Sequence, residues 1–232
     1  MKPTKDTLQS QKEFIAAVSH ELKSPLSVIL TSAEYIGNDS SLSLNSQKQT
    51  KVIDSECLRM SQLIQDLLLL SSIDTNIWSL NISAVDVDTL LIYTFEKYEP
   101  VCRKKDLHFR LETNDEVYSP FMADKDRIEQ ILSILIDNAI NYSLPPSEIC
   151  LDATVVKNKL IFSVIDHGTG IKDTDKPFIY NRFYCADKSR TQKNHFGLGL
   201  SIAKELVKMH KGTIELLDTP GGGCTFRVSF PL

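Results

Sequence analysis

The stretch "FIAAVSHELKSPL", Phe14 to Leu26, places a histidine next to a glutamate, with a proline just over one helical turn later. Apolar residues recur around it every three or four positions, which predicts one face of an amphipathic helix. Because successive residues are about 100° apart around a helix, His20 lies opposite this face and is expected to be exposed to solvent. Pro25 removes a backbone N–H at a cost of roughly 3 kcal/mol, which predicts a kink after His20.

The residues around this histidine suggest a nucleophile. A lone exposed histidine usually has no function, but a sequence normally avoids the cost of a proline inside a helix. Glu21 is able to accept a proton from one ring nitrogen of His20, which leaves the other nitrogen as the nucleophile. The hypothesis is therefore an activated histidine on the polar side of the helix, with Ser24 one turn later on the same side.

A second amphipathic helix follows the turn-rich stretch "GNDSSLSLNS", Gly37 to Ser46. Its apolar stripe is formed by Ile53, Cys57, Met60, Ile64 and Leu67. Two helices alone make a poor core, and apolar stripes this wide are typical of four-helix bundles. Residues 5 to 73 are therefore predicted to form a helical hairpin that dimerises with a second copy of itself.

The rest of the chain mixes short strands with helices. "SSIDTNIWSLN", Ser71 to Asn81, loses helical periodicity and predicts a linker. Strands are predicted at 107–112, 148–156, 159–166, 212–218 and 224–230, and helices near 88–104, 125–142 and 198–210. This order of elements indicates an α+β sandwich. The predicted division is a helical domain at 1–74, a linker at 75–80 and an α+β domain at 81–232.

The composition argues against several classes of protein. The 232 residues carry a net charge of −4 without a Lys/Arg tract, which does not suggest nucleic-acid binding. Five scattered cysteines without a C-x-x-C pair favour a reduced, cytoplasmic protein with no disulfide framework and no zinc site. Since there is no signal peptide and no apolar run of about 18 residues, a membrane segment is expected only in a longer parent, before Met1.

"FIAAVSHELKSPL" resembles the H-box of sensor histidine kinases, the membrane-linked half of bacterial two-component systems. Four further segments follow in the family's order, so the resemblance covers nearly the whole chain. It implies a dimeric helical hairpin that carries the histidine, followed by an ATP-binding α+β domain of the histidine kinase, gyrase and chaperone type. It also implies phosphorylation of His20 from ATP, with Glu21 as base or orienting group, and transfer to an aspartate of a response regulator that docks on the bundle.

"DRIEQILSILIDNAINYS", Asp126 to Ser143, resembles the N-box, a helix that faces ATP. The resemblance implies that Asn138 ligates a Mg²⁺ ion bridging the phosphates and that Tyr142 lines the nucleotide site. A neutral oxygen ligand suits a magnesium ion that keeps several waters. Taken alone, a buried asparagine bonded to backbone would be an equally good interpretation of Asn138.

"DHGTGI", Asp166 to Ile171, follows an apolar strand and resembles the first glycine box. By this resemblance Asp166 accepts the adenine amino group, and Gly168 and Gly170 let the backbone approach the base. A lone D-x-G-x-G is usually only a turn. Its position directly after a strand and downstream of Asn138 makes the match specific.

Two further segments complete the resemblance. "HFGLGLSIAKELVKMHKG" resembles the second glycine box, in which Gly197, Leu198 and Gly199 lead into a helix whose first N–H groups attract phosphate. "IYNRFYCADKSR" resembles the phenylalanine-containing box that packs the ATP lid. The candidate phosphate-binding cations in and beside the lid are Arg182, Lys188 and Arg190.

Three positions depart from the family pattern. Ile134 stands where the N-box commonly has an earlier asparagine, and it offers no group to orient a water, so idle ATP hydrolysis is expected to be slow. Asn141 stands where a lysine or arginine often precedes the tyrosine. Cys185 stands where an arginine often follows "RFY". The loss of two cations should weaken charge stabilisation near the triphosphate unless the candidate cations compensate.

Two alternatives remain open beside the kinase. One is a related ATPase of the chaperone or mismatch-repair type, against which the His-Glu-x-x-x-Pro hairpin argues. The other is a nucleotide-binding scaffold that dimerises and titrates a regulator without catalysis. Ser24 keeps a hydroxyl at the position that helps dephosphorylate the regulator in some family members, so phosphatase activity is an additional expectation. The chain is expected to be the cytoplasmic portion of a membrane-anchored sensor.

Overall fold

A computed structural model of the chain describes residues 22, 26–37, 43–75, 78–113, 118–119, 121–186 and 196–232. The chain divides into two compact units, Met1–Ser79 and Leu80–Leu232. The predicted nucleophile and its neighbours lie outside the described residues: His20, Glu21, Ser24 and Pro25. The exposure of His20 and the kink after it therefore stay predictions.

The first unit is a helical hairpin. Helix α1 covers residues 26–37, and α2 covers Leu44–Asp74. Ser43 caps α2, because its hydroxyl accepts the backbone N–H of Ser46 at 3.1 Å. Leu26, Cys57 and Ile64 form a buried cluster between the helices, with Leu30 and Leu68 packed against it. The predicted hairpin is confirmed. Among the described residues, no helix is long and apolar enough to cross a membrane.

The loss of apolar periodicity at Ser71 does not mark the end of α2, because the helix continues to Asp74. The Ser72 hydroxyl donates to the Leu68 carbonyl, and the Thr75 hydroxyl donates to the Ser71 carbonyl at 3.1 Å. These bonds satisfy both hydroxyls within the helix, so the polar residues are compatible with it although the apolar periodicity has ended.

The second unit is an α+β sandwich. Its helices are α3 (Val87–Lys104), α4 (Lys125–Tyr142) and α5 (Gly199–Met209). Its strands are β1 (Ser83–Val85), β2 (Leu107–Thr113), β3 (Phe121–Ala123), β4 (Ser147–Val156), β5 (Lys159–Asp166), β6 (Thr213–Asp218) and β7 (Cys224–Pro231). The main sheet has the order β2-β4-β5-β7-β6, in which β2 and β4 are parallel and the other pairs are antiparallel. The five predicted strands and three predicted helices are confirmed.

The core of this unit lies on one face of the main sheet. Alternate residues of β5, such as Leu160, Phe162 and Val164, are buried, as the two-residue period of a strand requires. Helix α4 packs against β5 and lies between α3 and α5. Five leucines and isoleucines of α4 are fully buried: Ile128, Ile131, Leu132, Leu135 and Ile136. This packing fixes α4, the helix that carries the N-box.

A buried hydrogen-bond network joins the start of α4 to the end of α5. The Asp124 carboxylate caps α4 by accepting the Arg127 N–H, and it also accepts the Asn81 N–H at 2.9 Å. The Asp124 N–H in turn donates to Nε2 of His210 at 3.1 Å, while Nδ1 of His210 donates to the Leu206 carbonyl. A neutral His210 with its proton on Nδ1 satisfies both bonds, and it joins the start of α4 to the end of α5.

Candidate functional site

The candidate site is built along one ridge of α4. Ile134, Asn138 and Tyr142 are four residues apart and therefore lie on the same side of the helix. The Ile134 side chain lies beside the start of α5, since a Cβ built on Gly199 would be 3.2 Å from its Cγ2. At the other end, the Tyr142 carbonyl accepts the Thr169 N–H at 3.3 Å. Asn138 thus lies midway between the start of α5 and the turn that follows β5.

Asp166 is the only acid placed in that turn, at the end of β5, and it is 4% exposed. Its Oδ1 accepts the N–H groups of Gly168 at 2.9 Å and of Cys224 at 3.1 Å. Burial raises the pKa of the Asp166 carboxyl, and the two N–H donors oppose this rise. Within the described part of the chain, Oδ2 makes no hydrogen bond. Asp166 is therefore a fixed carboxylate with one oxygen left for a donor.

Two glycines allow the chain segments of this turn to meet. A Cβ on Gly168 would overlap the Tyr142 carbonyl, and a Cβ on Gly223 would overlap the Asp166 carbonyl. Gly223 also has φ +104°, a conformation that favours glycine. Gly170 has φ +68° but space around it. Gly168 is therefore needed for the close backbone contact between α4 and the turn. The sequence did not reveal this role.

Replacing Gly168 with alanine is expected to weaken both the fold and nucleotide binding. The new methyl group meets backbone atoms of Tyr142, which cannot rotate away, and overpacking of this kind costs about 1–3 kcal/mol or more. Thermal unfolding and calorimetric ATP titration would measure the two losses. Gly37→Ala is the matched control, because its Cβ would be 3.6 Å from Thr50, an ordinary contact. Unchanged ATP affinity in the Gly168 variant would contradict the expected role.

The start of α5 carries the second glycine pair. Gly197 has φ +70°, and a Cβ there would approach the Tyr184 carbonyl to 2.7 Å. The Phe183 N–H donates to the Gly197 carbonyl at 2.9 Å, which joins the phenylalanine-containing box to this turn. Leu198 precedes the helix, is buried, and provides no side-chain cap. The first N–H groups of α5 therefore have no capping side chain and form the kind of helix start that binds anions.

Of the three predicted phosphate-binding cations, only Arg182 lies among the described residues. Arg182 lies exposed in the turn after the 3-10 segment Lys176–Phe178. Lys188 and Arg190 lie outside the described residues. Cys185 is half-buried, and burial raises the pKa of its thiol, so it supplies no charge. The role of these three cations in binding phosphate stays a prediction.

Asn138 fits a magnesium ligand by its chemistry. Its side chain is half-buried and makes no hydrogen bond within the part of the chain that the structure describes. No group of three or more His, Cys, Asp or Glu side chains that could hold a metal occurs among those residues. A site with one neutral protein oxygen suits Mg²⁺, which is usually held by few protein ligands together with water and phosphate oxygens.

Cys224 is a site residue that the sequence did not single out. It is buried at the start of β7, and its N–H holds Oδ1 of Asp166. Burial, together with the neighbouring Asp166 carboxylate, raises the pKa of the Cys224 thiol to about 12, so the thiol stays protonated. The hydrogen bond between Cys224 and Asp166 joins two different strands, so no local sequence pattern predicts it.

Family models match both units of the chain. Residues 10–76 match the His Kinase A (phospho-acceptor) domain, and residues 123–232 match the histidine kinase-, DNA gyrase B- and HSP90-like ATPase. The family expected from the motifs is therefore found in both halves. The second match contains Asn138, Asp166 and both glycine boxes.

Individual proteins agree with these matches. The sensor protein CiaH of Streptococcus pneumoniae is 32% identical over 235 residues, which cover 100% of this chain and 52% of CiaH, so the chain spans about half its length. The histidine kinase AdeS of Acinetobacter baumannii has a TM-score of 0.65 and 25% identity, covering 91% of this chain and 97% of AdeS. Full-length ShkA in complex with AMPPNP has a TM-score of 0.82, covering 94% of this chain and 45% of ShkA; its 23% identity shows the fold alone. The chain therefore carries the two domains of a sensor histidine kinase catalytic core, the phosphoacceptor domain and the ATPase domain.

Proposed function

We propose that this chain phosphorylates His20 from ATP and passes the phosphoryl group to an aspartate of a response regulator. The ridge of α4 is the observation that supports this most. It meets the Asp166 turn at one end and the start of α5 at the other, and the Asn138 side chain between them forms no hydrogen bond to any described residue. The carboxylate proposed to bind adenine, the proposed metal ligand and the helix start proposed to bind phosphate therefore belong to one unit. The matched phosphoacceptor domain contains His20.

The proposed nucleotide site runs along α4 from the adenine end, at Asp166, to the phosphate end, at the start of α5. Oδ2 of Asp166 accepts the adenine amino group, since Oδ1 is already held by two N–H donors. Tyr142 lies beside the base, next to the turn of Gly168 and Gly170. At the far end, the N–H groups after Gly197, Leu198 and Gly199 bind the phosphates, aided by the helix dipole. Arg182, Lys188 and Arg190 are proposed as further phosphate contacts.

Asn138 is proposed to hold the Mg²⁺ ion through its amide oxygen. When bound, the ion supplies positive charge that neutralises the phosphate oxygens. Asn138 keeps its side chain available because no hydrogen bond within the described residues engages it. The neighbouring Ile134 is apolar and excludes a positioned water at this point, which should keep phosphoryl transfer to water slow.

The proposed reaction transfers one phosphoryl group in two steps. A ring nitrogen of His20 attacks the γ-phosphorus; the new bond joins nitrogen to phosphorus, and the broken bond releases ADP. Glu21 accepts the proton from the other ring nitrogen, or orients the ring through it. In the second step the phosphoryl group passes from His20 to an aspartate of the regulator. Ser24 is proposed to assist removal of that group by water. We also propose that this occurs in the cytoplasm, in the cytoplasmic portion of a membrane-anchored sensor.

The proposed assembly is a homodimer through the hairpin. Burial between α1 and α2 covers only part of the apolar stripe, and Ile29, Ile36, Ile53 and Met60 remain at least two-fifths exposed. Their seven-residue spacing on each helix is that of a helical bundle. A second copy would cover these side chains and complete a four-helix core.

Replacing Ile29 with glutamate is expected to convert the dimer into a monomer, because it places an unpaired charge in the proposed apolar interface. Light scattering after size-exclusion chromatography measures the mass directly. Thr31→Glu is the control, since Thr31 is about 200° away around the helix and is exposed. A dimer of parental stability in the Ile29 variant would contradict the proposed interface.

The experiment that tests the proposed function is incubation of the chain with γ-labelled ATP and Mg²⁺. Acid-labile, base-stable label on the protein is the expected result. Bound ATP without any label would overturn the kinase function and favour a nucleotide-binding scaffold. Transfer of the label from the protein to an isolated receiver domain, with loss from the kinase, would test the second step.

A further inference from the structure

Two lysines, one in α3 and one directly after it, form hydrogen bonds to side chains of α4. Nζ of Lys97 donates to the Ser133 hydroxyl at 3.2 Å, and Nζ of Lys105 donates to Oδ1 of Asn141 at 3.2 Å. Ser133 and Asn141 are two turns apart on α4. The side-by-side packing of α3 and α4 therefore delivers a lysine ammonium to the C-terminal end of α4. That part of α4 carries the N-box, and Asn141 is about one turn from Asn138, the residue proposed to hold the ion between the phosphates.

Asn141 is arranged to receive this ammonium and not to extend into the site. Its Nδ2 donates to the Asp137 carbonyl one turn earlier, at 2.6 Å, which folds the side chain back onto α4. Its Oδ1 is then available as the acceptor for Lys105. Asn141 is three residues beyond Asn138 and directly precedes Tyr142. It is also the position at which the resemblance to the family led us to expect a lysine or arginine.

The charge of Lys105 is not neutralised by a carboxylate. Its hydrogen-bond partner is a neutral amide, and no ion pair with Lys105 occurs among the described residues. Lys176 shows the contrast, since Asp173 and Asp218 both lie at 2.7 Å from its Nζ. An ammonium carries three donors, and Asn141 uses one of them. Lys105 therefore keeps a full positive charge and free donor capacity.

We propose that Lys105 supplies the phosphate-binding cation that position 141 lacks, and that Asn141 positions it. The inference rests on the proposed function, because it assigns a ligand of the ATP triphosphate in that site. The bonds involved are charge-assisted hydrogen bonds from an ammonium to phosphate oxygens. Lys105 precedes β2 and lies far from the N-box in sequence, so the substitution at position 141 is compensated from another element.

Replacing Lys105 with methionine keeps the length of the side chain and removes its charge. The variant is expected to bind ATP about tenfold more weakly, the usual effect of one charge-assisted hydrogen bond, and to bind adenosine as the parent does. Calorimetric titration of the full chain with Mg²⁺ and either ligand measures both affinities. Lys104→Met is the matched control, because it removes the same charge from the neighbouring exposed residue.

Rescue provides the second arm of this test. Adding Asn141→Lys to the Lys105→Met variant should restore most of the ATP affinity, since the cation then comes from α4 itself. Equal ATP affinities for Lys105→Met and Lys104→Met would overturn the inference while leaving the proposed function intact. A parent chain that binds no ATP at all would overturn both. An equal loss of adenosine affinity would also overturn the inference, because a contact to the triphosphate cannot affect the nucleoside.

Discussion

Replacing Asp166 with asparagine is expected to lower the affinity for ATP by about 100-fold. Hydrogen bonds to charged groups contribute roughly 1.5–3 kcal/mol, and each 1.4 kcal/mol is about a factor of ten in affinity. The asparagine oxygen can still accept the N–H groups of Gly168 and Cys224. Its NH₂ group then stands where Oδ2 was, so the adenine amino group meets a donor. Calorimetric titration with ATP measures the loss.

The same variant separates binding from folding. Burial raises the pKa of Asp166, so the stability that this group contributes is present at low pH and is lost as the pH rises through the folded-state pKa. At neutral pH the carboxylate is therefore a cost to the free protein. Asp166→Asn should melt at the same or a higher temperature than the parent at pH 7, and the difference should shrink in acid.

Asp173→Asn is the control for the Asp166 variant, because it removes the same charge from an exposed residue of the same unit. It should bind ATP like the parent. If Asp166→Asn melts well below the parent, its weak ATP binding would be a consequence of misfolding. If it folds and binds ATP normally, the carboxylate does not recognise the base.

Replacing His20 with glutamine is expected to abolish labelling of the protein from γ-labelled ATP. Glutamine has a similar size and can form hydrogen bonds, but it has no nucleophilic ring nitrogen. ATP affinity should stay within about twofold of the parent, because the substitution removes none of the proposed contacts to the nucleotide. Histidine 20 belongs to the unit Met1–Ser79, and the proposed nucleotide site to the unit Leu80–Leu232.

His108→Gln provides the matched control, because His108 is exposed on β2 and has no place in the proposed chemistry. This variant should be labelled like the parent. Label of equal amount on the His20 variant would show that another residue is the phosphoacceptor. Loss of label from both variants would indicate a general effect on the fold, which circular dichroism would reveal.

The sequence predicted most accurately the elements that are long and strongly patterned. Helix α4 and strand β5 have the predicted bounds, because the apolar period of each is uninterrupted and begins and ends at turn or cap residues. Strands β1 and β3 were missed, since three residues each are too few to show a period. The loss of apolar period from Ser71 onward did not mark the end of α2, because the hydroxyl residues there have no apolar period and yet are compatible with the helix.

The candidate site could be predicted where the chemistry is local, as in the Asp166 turn and at the start of α5. Contacts between distant residues could not be predicted. Lys105 meets Asn141, His210 meets Asp124, and Gly223 meets Asp166 only after the sheet and helices have packed. A single sequence carries no sign of these pairs, because each depends on the relative placement of two elements.

The parallel pairing of β2 with β4 has a practical consequence for inhibitor screening. A recombinant catalytic fragment cut at residue 123, where the ATPase match begins, would lack β2 and leave β4 as an unpaired edge. Exposed edges of this kind, here carrying Ile149 and Leu151, promote aggregation. It would also lack Asn81, whose N–H bonds to Asp124 at the start of α4. A fragment that stays soluble and crystallises should therefore begin at Leu80 or earlier.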